Sequence, residues 1–94
     1  MYPLIEAHRS EIRALAARYG ITDVRVFGSM ARGEATEESD IDLLVNLPPG
    51  VSGLALGGLL MDVQDLLGRK VDVVTERGLH PALREQVLRE AQPL

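Results

Sequence analysis

The sequence predicts an α/β (α+β) fold, a mixed three-stranded sheet with flanking helices. Apolar residues recur at helical spacing near both ends of the chain and again between residues 52 and 67. Three short runs rich in Val, Ile and Leu alternate with them, at about 23–27, 40–46 and 70–75. Asp40 opens the second run close to where the first stops at Gly28, which favours an antiparallel pair. The long helix before the third run permits a right-handed crossover to a parallel neighbour.

Each element follows from local pattern. Leu4, Ile5, His8, Ile12, Leu15, Ala16 and Tyr19 share one helical face, with Glu6, Arg9, Glu11, Arg13 and Arg18 opposite and Gly20 as a stop, so a first helix is expected over about 3–19. Val24, Val26 and Phe27 form the first strand, and a short helix starts at Ser29. In Asp40-Ile41-Asp42-Leu43-Leu44-Val45, alternation sends both aspartates to one face and Ile41 and Leu43 into the core. Leu47-Pro48-Pro49-Gly50 breaks the chain, and Ser52 is placed to cap a helix reaching about Leu67, with Leu54, Leu56, Leu59, Leu60, Val63, Leu66 and Leu67 on its apolar faces. Lys70 to Thr75 is the third strand. His80-Pro81 opens a final helix whose buried stripe is Leu83, Val87, Leu88 and Ala91.

Composition narrows the function. Ninety-four residues suit a single domain, 1–94, with one core and no separate substrate lobe, so recognition beyond a small ligand calls for a partner. Asp plus Glu number 14 against 10 Lys plus Arg, and there is one Phe and two Tyr, a poor basis for a nucleic-acid surface. No direct nucleic-acid binding is therefore expected. Cysteine is absent, which excludes disulfides and thiol chemistry. Met1 leads directly into an amphipathic pattern without a basic or apolar leader, so the expected location is cytoplasmic. The longest nearly apolar stretch, Val51 to Met61, is interrupted by glycines and falls short of the roughly 20 residues that span a bilayer.

The chemistry lies in residues 28–42. Gly28-Ser29 sits where a strand stops and the chain turns, a place where backbone N–H groups and a hydroxyl can meet an anion. Ten residues separate Ser29 from Asp40-Ile41-Asp42. Carboxylates at i and i+2 of a strand have α-carbons about 6.5 to 7 Å apart, a span suited to gripping divalent cations. A Gly-Ser turn alone is usually only a turn, and an aspartate at a strand edge is ordinary. The spacing of the two together carries the information.

That segment resembles the GSx10DxD motif of the minimal nucleotidyltransferases, small members of the polymerase-beta-like superfamily, with Gly28, Ser29, Asp40 and Asp42 on its defined positions. The family carries a third carboxylate on the next strand, and Lys70-Val71-Asp72-Val73-Val74 supplies Asp72 in that context. The resemblance spans nearly the whole chain. It implies attack on the α-phosphate of an NTP with loss of pyrophosphate, promoted in two-metal enzymes by divalent ions about 3.5 to 4 Å apart. Asp40 and Asp42 would bridge the ions, while Asp72 would hold the catalytic ion and orient or deprotonate the attacking hydroxyl. Gly28 and Ser29 would hold the β- and γ-phosphates. Oxygen-only ligands argue for Mg2+ or Mn2+ rather than zinc, since neither histidine lies near the triad in sequence, and the resemblance implies two Mg2+ ions.

Similar stand-alone members are antitoxins that transfer AMP from ATP to a tyrosine of a HEPN-domain ribonuclease toxin, so the resemblance implies ATP and a HEPN toxin as partners. Two other readings stay open: a binding module that masks its partner by contact, and the catalytic subunit of a two-chain transferase acting on a small alcohol such as an aminoglycoside. Arg32 is either a cation for the phosphates or a tether to neighbouring carboxylates. Glu34, Glu37 and Glu38 read as a solvated loop, Gly33 as a helix end and Ser39 as a turn. Gly53, Gly57 and Gly58 lack the Gly-Lys-Ser or Gly-Lys-Thr of a P-loop and read as close helix packing on the sheet. His8 and both tyrosines read as packing residues and His80 as a helix start.

Overall fold

A computed structural model describes all 94 residues. Its helices are α1 (Pro3–Ala7), α2 (Arg9–Ala17), α3 (Ser29–Arg32), α4 (Leu54–Leu67) and α5 (Pro81–Glu90). The strands are β1 (Val24–Phe27), β2 (Ile41–Val45), β3 (Val71–Thr75) and β4 (Gln92–Pro93). They form a mixed sheet in the order β3-β2-β1-β4, with β1 antiparallel to β2 and β4, and β2 parallel to β3. The sheet therefore has four strands where the sequence pattern indicates three. Gln-Pro carries no strand signal of its own; tertiary placement sets Val26 opposite Gln92 and lets the Leu94 amide donate to the Val24 carbonyl at 3.0 Å. Proline is tolerated there because β4 is an edge strand.

The first helix is two helices. His8 leaves helical geometry (φ −119°, ψ 16°), and its Nδ1 donates to the Leu4 carbonyl at 2.8 Å. The ring thereby takes the acceptor that a continuous helix would give to the His8 amide, which bonds Ile5 instead. At the other end Gly20, at φ 76°, closes α2: its amide donates to the Ala17 carbonyl and that of Ile21 to Ala16. Ile21 and Ala16 are both buried, which completes a Schellman motif with its apolar contact.

Ile5, Ile12, Ala16, Val24, Val26, Ile41, Leu43, Val45, Leu59, Val63, Val71 and Val73 belong to one core between the helices and a single sheet face. By alternation the second face carries Arg25, Phe27, Asp42, Leu44, Asp72 and Val74. Leu44 and Val87 of α5 are buried outside the main core. The final helix starts as its sequence indicates, with His80 Nδ1 accepting from the Ala82 amide at 3.1 Å. Its stripe is narrower than expected: Val87 is buried, but Leu83 is 54% exposed. Leu54, expected on an apolar face of α4, is likewise 87% exposed because it occupies the first, outward position of the helix. No helix is long and apolar enough to cross a membrane.

The glycines of α4 differ in what they do. A Cβ on Gly58 would lie 2.6 Å from Cε1 of Tyr19, whose hydroxyl donates to Asp62 at 2.6 Å and so fixes the ring. The close packing is thus against Tyr19 rather than the sheet, and it involves Gly58 alone, since nothing lies within 4 Å of a Cβ on Gly53 or Gly57. Gly57→Ala should stabilise the protein by up to about 1 kcal/mol through helix propensity. Gly58→Ala should destabilise it by about 1 kcal/mol, the same gain being outweighed by overpacking. Urea denaturation of the two variants checks the opposite signs.

Candidate active site

The site is assembled at one end of the sheet by strand register. Phe27 pairs with Asp42 across β1 and β2, so Gly28 follows directly beside Asp42. Gly28 has φ 73° and ψ −155°, a conformation open essentially only to glycine. A Cβ there would also stand 2.5 Å from Asp42 Oδ2. Backbone of the turn and carboxylate of the strand therefore share one small volume. On the other side Asp42 is the direct partner of Asp72 in the parallel pair, and residues so paired project to the same face.

Asp40 lies just outside β2 and is exposed, with its carboxylate 3.7 Å from Lys70 Nζ. The three aspartates share the sheet end without closing into a compact ligand cluster. Burial pushes the Asp42 carboxyl above the ordinary range, and the charges of Asp72 and Asp40 push it further, with Arg32 opposing and Glu90 adding to the rise. The hollow between α2 and α4, about 520 Å3 and lined by Leu15, Arg18, Asp62 and Leu66 among others, takes in none of these acids. The acidic site is an open edge.

Ser29 begins α3, whose Met30 and Ala31 are buried and whose Met30 carbonyl accepts from the Tyr2 amide at 2.9 Å. The hydroxyl of Ser29 makes no hydrogen bond within the protein. Arg32 serves as a tether, its Nε donating to Glu34 at 3.2 Å and its Nη1 to Glu90 at 3.0 Å. Ser39 caps the loop as expected, accepting from the Thr36 amide at 2.9 Å. Glu34, Glu37 and Glu38 are exposed.

Two residues of the site were not legible as such. Arg69 clamps the loop between the Gly-Ser turn and the aspartates: its Nη1 donates to the Thr36 carbonyl at 2.8 Å, and its guanidinium lies 5.2 Å from the centre of the Tyr2 ring. Glu90 accepts the Gly28 amide at 3.0 Å, across 62 positions of sequence. That amide is not free for an external anion in this state. Neither arginine nor glutamate lies in a motif, and only the folded chain brings them to the turn.

Residues 8–94 match the nucleotidyltransferase domain family. The protein adenylyltransferase MntA of Thermococcus cleftensis is 39% identical over 87 residues, which span 93% of this chain and 85% of that protein. Among solved structures, one assigned as a minimal nucleotidyltransferase superposes with a TM-score of 0.84 at 54% identity, over 96% of this chain and 92% of the other. A toxin–antitoxin complex containing MntA gives a TM-score of 0.73 at 26% identity, over 92% and 70% of the two chains. With this match over residues 8–94 and these relatives, the chain belongs to the nucleotidyltransferase family, among its minimal nucleotidyltransferases.

Proposed function

We propose that this chain transfers AMP from ATP, with Mg2+, to a tyrosine hydroxyl of a HEPN-type toxin, and so acts as its antitoxin. The observation that carries the reading is the juxtaposition of Asp42 with Asp72 on one side and the Gly28 turn on the other. A cation site beside an anion site is what an incoming triphosphate requires. The name of the Thermococcus relative supports a protein acceptor. So does the open edge, which leaves room for a macromolecular side chain rather than an enclosed small alcohol.

The residues suit a hard divalent cation. All candidate ligands are carboxylates, no histidine or cysteine is among them, and Asp42 bears repulsion from Asp72 and Asp40 that Arg32 only partly offsets. When bound, Mg2+ supplies charge neutralisation for the reacting phosphates. Asp40 and Asp42 would hold it, with Asp72. Asp72 would also orient the tyrosine hydroxyl and accept its proton. The tyrosine oxygen then bonds to the α-phosphorus as the bond from that phosphorus to the α–β bridging oxygen breaks, and pyrophosphate departs with the bridging oxygen while AMP stays on the tyrosine. Ser29 offers its hydroxyl to the β- and γ-phosphates.

Asp42→Asn should abolish transfer while stabilising the metal-free fold. The folded carboxyl holds its proton more tightly than the unfolded one, whose value is about 3.9. Its contribution is therefore favourable in acid and is lost as pH rises through the folded value. In EDTA the advantage of Asp42→Asn over the native chain should grow from acid to neutral pH in thermal melts; a constant difference would contradict the assignment of repulsion at this site. Added Mg2+ should raise the melting temperature of the native chain more than that of Asp42→Asn.

Mass spectrometry of the partner after incubation with ATP and Mg2+ should show added AMP units, absent with Asp40→Asn. Neutralisation of the partner by Asp40→Asn without any mass change would favour masking by contact instead.

A further inference from the structure

The turn that carries Gly28 and Ser29 is braced from the far end of the chain. Glu90, the last residue of α5, receives the Gly28 amide on Oε1 and the Arg32 guanidinium on Oε2, each at 3.0 Å. One carboxylate thus spans both ends of the four-residue α3. Its side chain is only 17% exposed. Two residues further on, Gln92 pairs with Val26 in the sheet and donates through Nε2 to the Ala31 carbonyl at 3.0 Å. The position of Glu90 is therefore fixed by backbone pairing, not by its own two bonds alone.

Glu90 uses the Gly28 amide and one guanidinium nitrogen, while the Ser29 hydroxyl and Arg32 Nη2 make no hydrogen bond within the protein. We propose that Glu90 is a positioning residue for the triphosphate: by holding Gly28 and Arg32 together it presents the Ser29 hydroxyl and the remaining guanidinium N–H groups to the phosphates. This rests on the reading of the turn as the phosphate site. The rival arrangement, a carboxylate occupying the phosphate position until ATP displaces it, predicts the opposite sign. It is disfavoured because displacement would leave a poorly solvated carboxylate beside Asp42 and break its pair with Arg32.

The full chain is titrated calorimetrically with Mg-ATP and, separately, with Mg-tripolyphosphate, alongside thermal melts. Glu90→Gln keeps the shape of the side chain, but its amide oxygen can serve only one of the two donors well. Both ligands should bind about tenfold more weakly, the scale of one lost charge-assisted bond. Glu90→Ala should bind them more weakly still. Glu85→Gln, on the exposed part of the same helix, should leave both affinities unchanged. If Glu90→Gln, folded by its melt, binds both ligands as the native chain does, the brace is merely structural and the proposal fails. Tighter binding would overturn it in favour of an occupying carboxylate. A native chain that binds neither ligand would overturn the phosphate reading of the turn, and this inference with it.

Discussion

The central strand β2 constrains everything else at the site. It pairs antiparallel with β1 and parallel with β3, so one register on each side sets the neighbours of Asp42. Ile41, Leu43, Leu44 and Val45 are all buried. A slip of one residue would turn Asp42 toward the helices and Ile41 and Leu43 toward the open face, exchanging a carboxylate for aliphatic side chains in a core that contains no buried polar residue. Hydrophobic burial along the strand thus fixes the position of the charge at its end.

The acids are accordingly held close by forces that do not act on them. Asp42 is supported by the strand, Asp72 by its partner register, and the loop leading to Asp40 by Arg69 through backbone carbonyls rather than through charge. The nearby cations only partly offset the repulsion. Lys70 reaches Asp40 at an exposed position, where an ion pair contributes little. Arg32 is divided between Glu34 and Glu90.

The C-terminal segment plays a different part. Much of α5 is exposed, and its burial rests chiefly on Val87, yet it is attached at both ends. Arg84 donates to the Glu76 carbonyl at 2.9 Å after β3, and Glu90 reaches the turn after β1. Polar tethers at two ends fix a helix in place where a broad apolar stripe is missing. The same arrangement leaves Leu83 facing outward.

By itself the sequence determined whatever depends on neighbours within a few positions. Alternation in residues 40–45 set the faces of β2, Gly20 set the end of α2, His80-Pro81 set the start of α5, and the spacing from Ser29 to Asp40 marked out the candidate site residues as a group. Tertiary structure decided what depends on groups far apart along the chain. The imidazole of His8 breaks a helix whose periodicity runs on unbroken, and Gln92 joins a sheet for which it has no propensity. Gly58 is distinguished from Gly57 only by the ring of Tyr19. Arg32 could be assigned as a tether only once Glu90 was seen beside it. Periodicity reports which face a residue occupies, because that is a local property of backbone geometry. Which donor meets which acceptor across the fold is settled by packing, and no local pattern encodes it.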